Sequence, residues 1–257
     1  MTAKKYEVWL ANLDPRIGTE TGKTRPVLIV QTDLLKELKK LGKPIVLVLV
    51  NGSALSINWE QENINAIVET WYGGEKAGAA LADVLMGAYN PAGRLPVTFY
   101  RSINDLPAFD DYSMNGKTYR YTTKPVLYPF GYGLSYSNFT YSDLKLSALA
   151  LDSQKPLQIS CTVKNTGTYN GDEVVQLYIK QQGVAMPLKE LKGFKRIHLE
   201  KGMQQLVTFQ LKAEDIQHYS EQLDDLSVIP GKIELMIGAS SADSRLSAQF
   251  ELKKAKL

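Results

Sequence analysis

Cysteine is almost missing from this chain. A single residue, Cys161, stands among 257, so no internal disulfide can form and no cysteine cluster can bind a metal. It falls in the alternating run "LQISCTVK", where Leu157, Ile159, Cys161 and Val163 share one face, which makes it a small buried core residue. Histidine is nearly as scarce. His198 and His218 are the two present, and neither sits in a cluster with ligand-like spacing, which argues against a zinc centre or a histidine-based triad. Nothing in the composition calls for a cofactor. Long apolar runs are also lacking: "PIVLVLV", Pro44–Val50, is far too short to cross a bilayer. The opening "MTAKKYEVWLANLD" has no apolar stretch of the kind a secretory signal needs, so the chain as written is expected to be cytoplasmic, without a membrane partner. Charge of one sign is absent too. Thirty Lys and Arg against 27 Asp and Glu leave +3, too small a bias to mark a nucleic-acid binder. The lysines at Lys39, Lys40 and Lys43, and at Lys253, Lys254 and Lys256, read as a solvated helix face and a tail.

What is present has a clear order. At ~100–200 residues per domain the length allows two units. "YEVWLANLD" alternates like a half-buried strand, a turn-rich stretch follows, and "VLIV" (Val27–Val30) is a short apolar strand. The period then changes. "DLLKELKKLG" spaces Leu34, Leu35, Leu38 and Leu41 as a helix, with Asp33 as N-cap and Gly42 as stop. "KPIVLVLVNG" is a continuous apolar strand of the kind buried on both faces of a parallel sheet. Val27–Val50 therefore predicts a strand–helix–strand crossover. "WEQEN" reads as a short helix and "AIVETWY" as an inner strand. "GGEKAGAALADVLMG" predicts a helix with Ala77, Ala80, Leu81, Val84 and Leu85 turned inward, ended by Gly87. Residues 101–143 are rich in Tyr, Asp, Asn, Gly and Pro and form an aromatic-rich ordered connector. From about Ser142 short alternating runs, "LQISCTVK", "DEVVQLYIK", "KELKGFKRIHL", "QLVTFQL", "KIELMIG" and "RLSAQFEL", predict a β-sandwich.

The linked motifs "GKPIVLVLVNGSALSINW", "WYGGEKAGAALADVLMGAYNPAGRLPVTF", "YRY", "LYPFGYGLSY" and "TVKNTGTYNGDEVVQLYIK" resemble family 3 glycoside hydrolases, the β-glucosidases, β-xylosidases and relatives, over about Leu34–Phe250. The resemblance implies a partial α/β sandwich domain (34–100), the connector (101–143) and an all-β fibronectin type III-like, immunoglobulin-like sandwich (144–257). In that family the nucleophile is an Asp of an N-terminal barrel domain. The acid/base in many members is a Glu on a loop ahead of the helix matched by "DLLKELKKLG". Neither has a counterpart here, so no catalytic residue is assigned. The chain reads as an inactive C-terminal fragment whose parent activity is hydrolysis of β-glycosidic bonds. Its partners would be a β-linked oligosaccharide or the missing barrel domain, and an open sheet edge invites self-association. A carbohydrate- or protein-binding assembly module is the alternative.

Residues inside these motifs that could be taken for chemistry read as structural. Glu75 suits the first turn of a helix. Asp83 and Arg94 suit ion pairs. Tyr128, Tyr132 and Tyr136 suit a packing seam more than a sugar platform.

The first 35 residues resemble something else. "YEVWLANLDPRIGTETGKTRPVLIVQTDLL" is similar to the start of MazF/PemK-type ribonuclease toxins, and implies a β-hairpin remnant (1–33) joined to the hydrolase pattern near Asp33–Lys36. In that family the arginine matched by Arg25 takes part in RNA cleavage; alone it has no assembled site. A ribonuclease remnant is thus a further alternative.

Overall fold

A computed structural model describes residues 8–12, 24–28, 32–151, 155–181, 186–220 and 224–253. The chain divides into two compact units. One comprises Met1–Gly52 and Ile57–Gly73, the other Ser53–Ser56 and Gly74–Leu257.

In the first unit β1 (Val8–Asn12) and β2 (Thr24–Leu28) pair antiparallel, with Trp9 opposite Val27 and Ala11 opposite Arg25. Helix α1 (Thr32–Lys39) follows. Asp33 lies in its first turn, one residue inside the helix and not at its N-cap. Gly42 takes a left-handed φ of +65° just past the helix, the conformation glycine adopts without penalty. β3 (Val46–Leu49) and β4 (Ala66–Glu69) pair parallel, and α2 (Asn58–Asn63) lies between them in sequence. The buried Leu35 anchors α1, while Lys36 and Lys39 lie 5.9 and 5.8 Å from the Trp59 ring.

Two expectations fail in this unit. The strand expected at Val27–Val30 lies partly outside the described residues, at Ile29 and Val30, and its described part does not share a sheet with β3: among the described residues β2 pairs with β1 and β3 with β4, in separate two-stranded sheets. Sequence adjacency to α1 could not reveal that β2 has a nearer antiparallel partner in β1. Nor are β3 and β4 buried on both faces. Their residues are half-buried or exposed, because a two-stranded parallel sheet leaves flanks that a larger sheet and its helices would cover.

The second unit begins with α3 (Ala77–Leu85), none of whose residues is buried. Ala77, Ala80 and Leu85 are exposed, and Leu81 and Val84 are half-buried. The helix is therefore as predicted in place but not in its inward face. After α4 (Thr118–Tyr121) the chain enters the sandwich. One sheet has the order β10-β7-β5 and the other β6-β14-β13-β8-β9. The strands are β5 (Phe139–Leu146), β6 (Ala150–Leu151), β7 (Leu157–Asn165), β8 (Gly171–Gln181), β9 (Glu190–Leu199), β10 (Gln204–Leu211), β13 (Gly231–Ser240) and β14 (Asp243–Leu252). A small separate hairpin joins β11 (His218–Ser220) to β12 (Asp225–Ser227).

Every second residue of β7 is buried. Ile159, Cys161 and Val163 meet Leu177, Ile179, Val207, Leu235 and Ile237 in one continuous core, and each such side chain stabilises by about 1.5–3 kcal/mol when fully buried. Burial also pushes the Cys161 thiol up to about 11, and the thiolate is the reactive form. Cys161 should therefore resist a thiol-specific chromogenic reagent in the native protein and react stoichiometrically in guanidinium. Rapid native labelling would show that the core opens.

Candidate functional site

The second unit's connector is fastened to itself and to the sandwich by the motifs that stand out in the sequence. "NPAGRLPVTF" runs beside "LYPFGYGLSY": Leu95 N–H donates to Tyr132 O at 2.8 Å, Gly131 N–H to Leu95 O at 2.8 Å and Phe99 N–H to Tyr128 O at 2.9 Å. Phe99 is fully buried and packs edge-on against Tyr128 at 5.7 Å. Tyr128 stacks on Tyr132 at 5.3 Å and Tyr119 on Phe130 at 4.4 Å. Burial raises the Tyr128 hydroxyl to about 12. The hydroxyl of Tyr136, half exposed, donates to Val84 O at 2.8 Å and so ties down the end of α3. Tyr128 and Tyr132 thus face each other, and Tyr136 is spent on a backbone carbonyl.

The outer face of β8 receives this aromatic layer. Tyr178 meets Tyr119 edge-on at 6.0 Å. The Gln176 amide donates to Gly131 O at 3.1 Å and Ala239 O at 2.6 Å, while its oxygen accepts from the Tyr178 hydroxyl at 2.6 Å. Gly131 adopts φ +81°, and a Cβ there would lie 2.2 Å from the Gln176 amide oxygen. Gly131→Ala should cost about 1–3 kcal/mol from backbone strain, measured as a lowered denaturation midpoint. No change in midpoint would mean that the clamp yields freely.

A crevice of about 250 Å³ opens where the connector meets β8, β13 and β14, lined among others by Arg94, Phe139, Glu173, Asp243 and Arg245. It holds two carboxylates, the minimum a retaining glycosidase needs. Both are paired with arginine. Glu173 accepts from Arg94 Nη2 at 3.0 Å and from the Tyr141 hydroxyl at 2.7 Å. Asp243 accepts from Arg245 at 3.3 Å on Oδ1 and at 3.1 and 2.8 Å on Oδ2. Arg245 also lies 4.7 Å from the Tyr141 ring and donates to Phe139 O at 2.8 Å. Burial raises the Glu173 carboxyl above its ordinary value, with Arg94 and Tyr141 pulling it back. Two cations thus face two anions: Glu173 is buried in its ion pair, while Asp243 pairs with Arg245 and stays half exposed.

The remaining candidates lie apart. Glu75 is exposed and precedes α3, whose N-cap is Lys76, so it is not a first-turn residue. Asp83 is exposed on α3. Arg25 sits in β2 opposite Ala11. His198 Nδ1 and Arg196 share Asp172 at 2.6 and 2.5 Å, and His218 Nε2 meets Gln181 Oε1 at 3.1 Å. Among the described residues no group of three or more His, Cys, Asp or Glu is placed to hold a metal ion, and no helix is long and apolar enough to cross a membrane. A fully buried polar node lies at the end of β7. Asn165, within "KNTG", accepts from Ser137 Oγ at 2.6 Å and Gly167 N–H at 3.0 Å, and donates to Tyr169 O at 2.8 Å and Leu199 O at 3.0 Å. A polar residue continuing the inward face of β7 is the signal that marks it.

Known proteins share this arrangement. The family model "Glycosyl hydrolase family 3 C-terminal domain" matches residues 4–136, and "Fibronectin type III-like domain" matches 173–241. The first match takes in the stretch that resembles the toxin. A xylan 1,4-β-xylosidase of Xylanibacter ruminicola is 43% identical over 218 residues, covering 84% of this chain and 25% of that protein. The periplasmic β-glucosidase of Salmonella typhimurium is 39% identical over 236 residues, covering 86% and 31%. In structure, the family 3 β-glucosidase of Bifidobacterium adolescentis superposes with a TM-score of 0.78 at 34% identity, covering 86% of this chain and 34% of that one. The chain spans about a quarter to a third of the length of these relatives. With a family model matching more than half of its residues and the sandwich model matching beyond it, the chain belongs to glycosyl hydrolase family 3 through that family's C-terminal α/β and fibronectin type III-like domains.

Proposed function

We propose that this chain is the C-terminal scaffold of a family 3 enzyme that hydrolyses β-linked glucosides or xylosides, and that it has no hydrolytic activity by itself. The observation that carries this reading is that the chain spans about a quarter to a third of its relatives' length; the buried carboxylate of its crevice, Glu173, is in addition held by Arg94 and Tyr141. A retaining glycosidase needs two carboxyl groups about 5–5.5 Å apart, one free to attack and one free to exchange a proton with the leaving group. The relatives are named as β-glucosidases and β-xylosidases, and roughly two thirds or more of each lies outside the match.

The α/β portion supports the same reading. α3 is apolar yet has no buried residue, and β3 and β4 stay partly exposed. In this reading residues 34–100 form a partial α/β domain that another part of the enzyme completes, residues 144–257 form the fibronectin-like sandwich, and Arg25 has no catalytic task. The purified chain incubated with 4-nitrophenyl β-glucoside and β-xyloside should release nitrophenol at the buffer rate. Turnover that persists through further purification and is saturable in substrate would overturn the proposal.

A further inference from the structure

Asparagine followed by glycine occurs three times in this chain, at Asn51-Gly52, Asn115-Gly116 and Asn170-Gly171. The pair has a chemistry of its own. The glycine nitrogen can attack the carboxamide carbon of the asparagine, because no Cβ on the second residue stands in the way. The fold decides where it does so. The attack needs an asparagine side chain that is not held, a glycine N–H that is not bonded, and a main chain able to rotate between them.

Two of the three pairs fail these conditions. Asn51 is half-buried and its side chain is hydrogen-bonded to the Glu69 carboxylate. The Tyr72 ring covers Gly52, where a Cβ would lie 2.7 Å from its nearest atom. Asn170 Oδ1 accepts the Lys201 N–H at 2.8 Å, and its main-chain oxygen accepts from Asn90 Nδ2 at 3.0 Å. Gly171 is buried and opens β8, paired with Leu199 of β9, so its backbone turns only when the ladder opens locally.

Asn115-Gly116 meets all three. Asn115 is exposed, and among the described residues neither its carboxamide nor the Gly116 N–H has a hydrogen-bond partner. The pair occupies the centre of a turn closed by Lys117 N–H donating to Met114 O at 3.0 Å. Gly116 takes φ +71° while Asn115 keeps an ordinary negative φ, the pattern of a type II turn, whose closing hydrogen bond does not use the central N–H. One main-chain hydrogen bond closes this turn, against a whole ladder at Gly171.

We propose that Asn115 is a site of spontaneous deamidation, through a cyclic imide formed with Gly116. The Gly116 nitrogen bonds to Cγ of Asn115, the Cγ–Nδ2 bond breaks, and Nδ2 leaves as ammonia with the proton that Gly116 gives up. One water then opens the imide. Cleavage of the new N–Cγ bond leaves an ordinary aspartyl linkage. Cleavage of the original peptide C–N bond leaves an isoaspartyl linkage, with one more carbon in the main chain. Either product carries a carboxylate in place of a neutral amide.

The test is incubation of the full chain at mildly alkaline pH, native and, in parallel, unfolded in guanidinium. Tryptic peptides are read by mass spectrometry, and isoaspartate is counted by methyl transfer from S-adenosylmethionine with an isoaspartyl methyltransferase. In the native sample the amide-to-acid mass gain is expected at position 115 about tenfold or more faster than at 51 or 170, since the held pairs react only after local opening. In guanidinium the three rates should converge. The rate at 115 should rise with pH, because the attacking nitrogen must lose its proton. Asn115→Gln should remove most of the native isoaspartate, and Asn170→Gln should leave it unchanged. Native reaction at 51 or 170 as fast as at 115 would overturn the proposal. So would a native position 115 that stays unreacted while the unfolded chain is converted.

Discussion

Arg94→Ala is expected to destabilise the second unit by about 3–5 kcal/mol, the usual cost of stranding one partner of a buried ion pair. The side chains of Arg94 and Glu173 are 9% and 3% exposed, so removing the guanidinium leaves a buried carboxylate without its ion-pair partner. The effect should depend on pH in a defined direction. Burial holds the folded Glu173 carboxyl above its unfolded value. The folded state therefore binds that proton more tightly, and ionising the group costs stability as pH rises through the folded value. Without Arg94 the ionised form has lost its larger counter-charge, with only Arg245 remaining, so the deficit should be full at neutral pH and shrink on acidification toward the carboxylate range. Arg94→Leu with Glu173→Leu should recover part of the loss, because it strands no charge. All three tryptophans, Trp9, Trp59 and Trp71, lie in the first unit, so denaturation must be followed by far-ultraviolet circular dichroism. A loss below 1 kcal/mol that does not vary with pH would mean that the pair is solvated.

Asn165→Ala should cost about 2–4 kcal/mol, since leaving buried polar groups unpaired costs about 1–3 kcal/mol each. The side chain is fully buried and makes four hydrogen bonds, the full capacity of an amide with two N–H groups and two acceptor lone pairs. It joins the end of β7 to the turn at Gly167 and Tyr169, to Ser137 ahead of β5 and to the end of β9. Truncation strands the carbonyls of Tyr169 and Leu199 and the Gly167 N–H together. Asn165→Asp keeps the acceptor and, only while protonated, one of the two donors, so it should fall between wild type and alanine at low pH and approach alanine when ionised. Equal stability of wild type and Asn165→Ala would show that water repairs the node.

The strands of the sandwich were legible because alternation is a local signal. β7, β10 and β14 match "LQISCTVK", "QLVTFQL" and "RLSAQFEL" nearly residue for residue. β5 was harder to read. It begins at Phe139, ahead of the expected all-β region, and Asp143 takes φ +54° where the pairing shifts between Ser142 and Lys145; the bulge destroys the period of two. Alternation also makes Gln176 and Tyr178 outward residues of β8, yet both are buried, because Tyr119, Phe130 and Gly131 arrive from some 45–60 positions earlier.

The same limit applies to the crevice. Arg94 and Glu173 are 79 residues apart, and no local pattern announces such a pair. α3 shows the opposite case. Its helical period was readable, but periodicity states which residues are apolar and not whether anything covers them. The pairing of β2 with β1 in place of β3 has the same cause: an apolar strand declares its type and leaves its partner open.

One measurement tests the scaffold account most directly: release of nitrophenol from 4-nitrophenyl β-glucoside by the chain alone, by the N-terminal two thirds of the Salmonella typhimurium enzyme alone, and by the two together. The account predicts the buffer rate for this chain at every concentration and a rate in the mixture above that of either part. A saturable rate from this chain alone, unchanged by the added partner, would contradict it.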